Sequence, residues 1–212
     1  MITTAVAEGE SEPDLFFMDV RGVPWDGSAG VTLVAPWDGH GMIATQSHAM
    51  RFENFPATRC GWPGNIRALA QGANGFIGCA FTAVIVGIVE TALEAARQQL
   101  EKRHASLNAF EQVEWTRAEM EGWLIQQAYA GMLRAVENNS PAALREVLTG
   151  KTAVAELAET CVGRLCKVMG GGSYARRSPF GFWQQDVRAL GFLRPPWMLA
   201  YEQLFRGAWP AA

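Results

Sequence analysis

The sequence is poor in charged residues and has no surplus of positive charge. Asp, Glu, Lys and Arg make up 18% of its 212 residues, against about 25% in an average soluble domain. Its 18 basic residues are outnumbered by 21 acidic ones, so the formal net charge is −3, and nothing is left over to neutralise the phosphates of a nucleic acid. We therefore expect no nucleic-acid partner, and the low charge predicts a surface covered in an oligomer or by a partner chain.

The cysteines are few, and their positions do not form a recognisable site. No CxxC pair occurs among Cys60, Cys79, Cys161 and Cys166, and no histidine stands beside them at ligand spacing, which disfavours both a zinc site and a disulfide scaffold. We expect inert or buried thiols and no metal. The first 14 residues contain four acidic side chains and lack the positive and apolar segments of a secretory signal, so we expect a cytoplasmic protein.

The glycine and proline content of the chain changes near residue 62. Before that point they interrupt the sequence at short intervals, and runs of strand length remain at 14–20, 31–35 and 49–55. After residue 64 the chain has long stretches without proline, which fits helices of several turns. The sequence therefore predicts a small β segment over residues 1–62 and a helical bundle over residues 63–212.

The first predicted helix covers 66–102, where apolar residues recur at intervals of three and four. No charged residue occurs between Arg67 and Glu90, and this length could cross a bilayer. Gln71, Asn74 and several glycines lower its hydropathy, so we expect a core helix and no membrane span.

Further helices are predicted in the second half of the chain. Ser140 and Pro141 form a good N-cap and first-turn pair, because the hydroxyl can accept a free amide bond and proline has no amide to leave unpaired. Long helices with short connections predict an up-and-down bundle. The predicted ranges are 108–138, 140–168, 179–190 and 196–206.

Three stretches together resemble the acyl-CoA dehydrogenase family. GGGSY at 170–174, Ser178-Pro179 and QDVR at 185–188 resemble the GGxGY, P and RDAR series near the end of these proteins. WDGHGMIATQSH at 37–48, followed by MRFENF at 50–55, resembles the end of the family's middle β domain. FEQVEWTRAEM at 110–120 is similar to a segment in the second helix of its bundle.

The resemblance covers about residues 31 to 206 and implies a definite architecture. The family has a β domain followed by a four-helix bundle, and it assembles as a tetramer or dimer of dimers with FAD at the subunit boundary. It begins with a helical domain and the front of the β domain, whereas this sequence begins at about the last β strands. The resemblance thus implies that half of the acyl and flavin cleft is missing from the sequence given.

The resemblance implies a cofactor role for several residues. Gly170 and Gly171 fall on two family glycines beside the FAD nucleotide of a neighbouring subunit. Lys167 stands where that turn usually has Gln, and a lysine can meet a pyrophosphate. The family's arginine before the second helix has Arg103 or Arg97 as its candidate counterpart, although residues 103–109 lack the Phe and Gly of the family motif.

The catalytic base of the family has no counterpart. That base is a carboxylate, which removes the α-proton of the thioester while hydride leaves the β-carbon for the flavin. Counting without gaps from Asp186 places Arg194 at its position, and a guanidinium stays protonated, so it cannot accept a proton. Other members place the base ahead of the first bundle helix, where this chain has Ile77 and Gly78.

Three functions remain open from the sequence. The first is an FAD-dependent oxidoreductase that acts on the CH–CH group of an acyl-CoA. The second is a non-catalytic subunit that completes the FAD site or the oligomer of a fuller acyl-CoA dehydrogenase-like chain. The third is a bundle of the flavin-dependent monooxygenase type, which uses reduced flavin and oxygen and needs no carboxylate base.

Overall fold

A computed structural model describes residues 1–66 and 75–209 of the chain. The chain divides into two compact units. The first comprises Met1–Gly39 and Ile43–Ala73, and the second comprises His40–Met42 and Asn74–Ala212.

The first unit contains five short strands in two sheets. One sheet is antiparallel with the order β1-β2-β5, and the other is the antiparallel pair β3-β4. The buried carboxylate of Asp14 ties the first sheet to the following segment, because it accepts hydrogen bonds from Arg59 Nε at 2.8 Å and from the amide of Gly64 at 2.7 Å. The strands are β1 Ile2–Val6, β2 Pro13–Phe17, β3 Val31–Ala35, β4 Ala49–Phe52 and β5 Thr58–Arg59.

The sequence predicted the middle strands better than the outer ones. The prediction of 31–35 coincides with β3, whereas β2 and β4 stop before the predicted ends at residues 20 and 55. The early end of β4 is followed by Asn54 with φ of +50°, a turn conformation that a strand cannot contain. β1 and β5 were not predicted, because β1 is exposed at four of its five positions and β5 has only two residues.

The second unit is an up-and-down bundle of four helices with a fifth at its end. α3 lies at its centre, since it contacts α1, α2, α4 and α5. The prediction of a mainly α fold, a four-helix bundle preceded by a small β segment, is confirmed. The helices are α1 Phe76–Leu100, α2 Ala109–Glu137, α3 Ala143–Met169, α4 Pro179–Phe192 and α5 Trp197–Ala208.

The core of the bundle is apolar and tightly packed. A Cβ atom on Gly150 of α3 would lie 2.3 Å from Met132 Cγ on α2, so only glycine allows the two helices to approach this closely. The largest fully buried side chains in the bundle are Phe180, Ile85, Ile125, Met132, Leu165 and Leu190.

α1 is the most apolar helix. Residues 67–74 of the predicted helix 66–102 lie outside the described residues. By length and composition alone α1 could cross a membrane, although the core helix of a soluble protein meets the same test; 33% of its most apolar window is buried. Ile85 and Val89 lie in the core, whereas Ile77, Phe81 and Val84 are exposed.

α2 has a side-chain cap, whereas α3 begins without one. α2 begins with a reciprocal capping box, in which Asn108 Oδ1 accepts from the Glu111 amide and Glu111 Oε2 accepts from the Asn108 amide, each at 3.0 Å. α3 does not begin at the predicted Ser140-Pro141 pair. The Ser140 carbonyl instead accepts from the Ala143 amide at 2.9 Å, which places the pair in a turn ahead of the helix.

Candidate functional site

The chain leaves α3 through a glycine-rich turn, here called the α3–α4 turn and defined as residues 170–178. Gly170 caps α3 with φ of +69°, in the left-handed region that side chains with a Cβ avoid. A 3-10 turn over Gly170–Tyr174 follows. Its closure depends on Ser173, whose buried hydroxyl lies 2.8 Å from the carbonyl oxygen of Gly170 and 3.1 Å from that of Cys166.

The backbone of the three glycines in this turn is open. A Cβ atom placed on Gly170, Gly171 or Gly172 would meet no atom of the described residues within 4 Å, and all three glycines are exposed. Gly171 has no positive φ, so the fold of the chain does not itself require glycine there. This bare backbone fits a cofactor approaching from outside the chain, because a side chain would stand in its way.

Arg103 reaches the same end of α3 from the connection between α1 and α2. Its Nη2 donates to the Val168 carbonyl oxygen at 2.9 Å, and its Nη1 contacts Glu111 Oε1 at 2.9 Å. The hydrogen bond from Arg103 lowers the pKa of Glu111, and the bond from the Asn108 amide adds to this effect. Since a guanidinium has five N–H donors, Arg103 keeps donors free for a further anion.

Lys167 lies in the last turn of α3, at the edge of an ionic cluster. Its Nζ contacts Glu114 Oε2 at 3.1 Å, and 56% of its side chain is exposed. Arg164 binds the same Glu114 at 3.0 Å and Glu121 at 2.8 Å. Burial would raise the pKa of Glu114, but hydrogen bonds and charges from Lys167 and Arg164 outweigh it and hold the pKa below its ordinary value.

The structure therefore brings the predicted cofactor residues together. Arg103, Lys167, Gly170 and Gly171 all lie at the C-terminal end of α3, although Arg103 is far from the others in sequence. Their contact with a cofactor stays a prediction. Arg97, the other candidate, is engaged elsewhere, because it pairs with Glu119 at 2.9 Å and lies 5.5 Å from the ring centroid of Trp115.

Arg194 is an exposed residue in the connection between α4 and α5. Its side chain makes no hydrogen bond or ion pair with any part of the chain that the structure describes. At this position the side chain can donate hydrogen bonds and attract anions, but it cannot act as a base. The alternative base position is also apolar, with Ile77 and Gly78 in the first turn of α1.

Lys151 fixes the backbone on both sides of Arg194. Its Nζ donates to the carbonyl oxygens of Leu193 and Pro195, each at 2.7 Å. The side chain is buried, with 4% relative exposure, and burial lowers its pKa. Sequence reasoning missed this residue. The available signal was its spacing of three, four and seven residues from the apolar Val154, Ala155 and Ala158, which places the lysine on the same helix face.

Two of the stretches that resemble the family, 37–48 and 185–188, contact each other within the second unit through residues 41–42. The Met42 amide donates to Asp186 Oδ1 at 2.5 Å. A Cβ atom on Gly41 would lie 2.6 Å from the Gln185 carbonyl oxygen, so this segment rests directly on the backbone of α4. The sequence contained both stretches but could not show that they touch.

Comparison with known proteins agrees with this fold. The family model described as acyl-CoA dehydrogenase, C-terminal domain, matches residues 73–194. No curated protein matches the chain. Several solved structures do.

Three of these structures show which kinds of protein share the fold. Nitrososynthase from Micromonospora carbonacea var. africana is 20% identical with a TM-score of 0.73, and the match covers 99% of this chain and 56% of that one. KijD3, in complex with FMN and a dTDP-linked amino sugar, is 22% identical with a TM-score of 0.70, covering 95% and 52%. The acyl-CoA dehydrogenase from Slackia heliotrinireducens is 18% identical with a TM-score of 0.72, covering 95% and 54%.

These likenesses establish the fold and not the reaction, since all three identities are low. The chain spans about half the length of each of these proteins. The match to the family model covers more than half of the chain, and the bundle and the α3–α4 turn agree with it. The chain belongs to the acyl-CoA dehydrogenase family of flavoproteins, of which it carries the C-terminal helical domain.

Proposed function

We propose that this chain binds a flavin at the α3–α4 turn. The observation that carries the proposal is the meeting of Arg103 and Lys167 with the open backbone of Gly170 and Gly171. Gly171 lets the backbone approach the nucleotide, while the two cationic side chains hold its phosphates. When bound, the flavin supplies the capacity to accept or donate a hydride or single electrons.

FAD suits this arrangement better than FMN. Two separate cations match the two phosphates of a pyrophosphate better than one terminal phosphate. KijD3 was solved with FMN, so the same fold accommodates that flavin too. The choice is tested by titrating the protein with each flavin separately.

We also propose that the chain works in an oligomer. The glycine turn opens outward, so the remaining flavin contacts come from another chain, either a second copy or a fuller acyl-CoA dehydrogenase-like subunit. An exposed apolar surface supports this, because monomeric proteins rarely leave such patches uncovered. We call it the α2 apolar face; it consists of Phe110, Val113, Met120, Trp123 and Leu124, which are 42–62% exposed.

The chain itself does not remove a proton from an acyl-CoA thioester in this proposal. Arg194 stands where the family places its base, and neither Ile77 nor Gly78 offers a carboxylate. Dehydrogenation of an acyl-CoA would therefore need a base from elsewhere. A second candidate is flavin-dependent oxygenation, favoured by the same Arg194 and by the likeness to nitrososynthase.

The test of flavin binding is the visible absorbance of the purified protein. It is expressed alone and together with a fuller acyl-CoA dehydrogenase-like chain, and each sample is reconstituted with FAD or FMN. Flavin bands that remain after gel filtration support the proposal. Colourless protein in every sample would overturn it.

A further inference from the structure

An open groove lies between α3 and α5. Its volume is about 520 Å³, and its lining combines acidic and aromatic side chains. Residues 156 and 170 are separated by about four turns of α3, roughly 20 Å along the helix axis, so the groove lies at another level of the bundle than the α3–α4 turn. The lining residues are Glu156, Glu159 and Thr160 of α3 and Trp197 and Tyr201 of α5.

One wall of the groove is aromatic. Trp197 and Tyr201 lie one turn apart on α5, with their ring planes 15° from parallel and their centroids 6.0 Å apart. A Cβ atom on Gly191 of α4 would overlap the Trp197 indole, so this ring is seated against the helix backbone. Tyr201 is 45% exposed, which leaves part of its ring accessible from the groove.

The opposite wall carries negative charge. The Tyr201 hydroxyl donates a hydrogen bond to Glu156 Oε1, and this bond, followed by burial, raises the pKa of Tyr201 to about 12. The phenol therefore keeps its proton at neutral pH and holds the carboxylate beside the ring. Glu156 has no cationic partner within residues 1–66 and 75–209.

The second carboxylate of the groove is only loosely compensated. Glu159 Oε2 lies 4.0 Å from Arg188 Nε, a long separation for an ion pair, and the Arg188 guanidinium also donates to Gln185 Oε1 at 3.2 Å. The Thr160 hydroxyl donates to the Leu157 carbonyl oxygen of its own helix at 3.0 Å. The groove thus has a net negative charge beside an aromatic wall, and no basic side chain lines it in the described part of the chain.

This combination selects one class of ligand. The carboxylates repel anions, whereas aromatic side chains bind quaternary ammonium groups through cation–π attraction. We propose that the groove binds the methylated ammonium group of a small organic cation, with Glu156 as its counter-ion and the rings of Trp197 and Tyr201 as its aromatic wall. The inference goes beyond flavin binding and does not depend on it, because no lining residue belongs to the α3–α4 turn.

Calorimetric titration of the full chain with choline tests the inference, with sodium chloride holding the ionic strength constant. We expect choline to bind in the millimolar range and its neutral isostere, 3,3-dimethyl-1-butanol, to bind at least about tenfold more weakly. Glu156→Gln keeps an acceptor for the Tyr201 hydroxyl but removes the charge, and it should weaken choline binding at least about fivefold, as should Tyr201→Leu. The control Glu202→Gln removes an exposed glutamate of α5 outside the groove and should change the affinity less than about twofold.

Several outcomes would overturn the inference. These are absence of choline binding to the parent at about 100 mM, equal binding of choline and its isostere, equal choline binding to the parent and Glu156→Gln, and an equal loss in the control. Tyr201→Phe covers the case in which Tyr201→Leu does not fold; it keeps the ring and should retain choline binding within about threefold, and a complete loss would contradict the aromatic wall. Choline binding to flavin-free protein would support the inference even if the flavin proposal fails.

Discussion

The guanidinium of Arg103 donates a hydrogen bond of 2.9 Å to the backbone carbonyl oxygen of Val168, 65 residues further along the chain. This bond caps the end of α3, where the last carbonyl groups lack partners within the helix. The cation also lies at the negative end of the helix dipole. Arg103 therefore positions the glycine turn and adds charge to it, so its replacement would affect both stability and cofactor binding.

Replacing the two glycines should separate helix capping from cofactor contact. Gly170→Ala places a side chain at φ of +69° and should lower the free energy of unfolding by about 1 kcal/mol, with or without flavin. Gly171→Ala meets open space and should leave the free protein within about 0.5 kcal/mol of the parent. The stabilisation that added FAD gives should be smaller in Gly171→Ala than in the parent or in Gly170→Ala. Melting temperatures across an FAD titration check this, and equal FAD-dependent shifts in parent and Gly171→Ala would remove Gly171 from the site.

The isolated chain should not dehydrogenate acyl-CoA substrates. Arg194 cannot accept a proton, and general-base catalysis commonly contributes about 10²–10⁴ in rate. The assay uses a panel of acyl-CoAs with excess FAD and an artificial electron acceptor. Turnover well above a protein-free control would show that another carboxylate serves as the base.

The chain should self-associate through the α2 apolar face. Trp123→Glu puts a charge into this face and should shift the sedimenting species towards the monomer of 23.1 kDa. Leu144→Glu is a matched control, because Leu144 is also 62% exposed but lies on α3. A stable monomer of the parent at micromolar concentration would contradict the prediction.

Glu114 should contribute to the loss of thermal stability that the protein shows in acid. Its pKa in the folded protein lies below its ordinary value of 4.5, so its stabilisation is fully present above that value and is lost as the pH falls through the folded pKa. The melting temperature of the parent should therefore fall more steeply than that of Glu114→Gln as the pH drops from about 5 to about 3. The exposed Glu137→Gln should follow the parent, and identical acid profiles for all three proteins would refute the role of Glu114.

Lys151 should matter for stability because it serves two backbone carbonyl groups. Lys151→Met keeps most of the side-chain volume but removes the donors to Leu193 and Pro195, so we expect a loss of about 2–4 kcal/mol in the free energy of unfolding. The exposed Lys102→Met is the control and should be neutral. Chemical denaturation measures both, and a loss below about 0.5 kcal/mol in Lys151→Met would contradict the prediction.

The helical half of the fold was predictable from local sequence. Long apolar periodicities specify helices because each helix must bury one face, and the prediction of 108–138 falls within one residue of α2 at each end. Asn108 marks a helix start through its capping box, and Pro179 marks another through its place in the first helical turn. Local signals failed where a strand was too short or too exposed to show a pattern, as in β1 and β5.

The sequence by itself determined the family, the order of the elements and the glycines that end α3, because motifs and periodicities act over short distances along the chain. Only the tertiary structure decided that Arg103 and Lys167 meet at that turn and that Lys151 supports the segment of Arg194. Such contacts join residues tens of positions apart. They depend on how the helices pack, which no local pattern specifies.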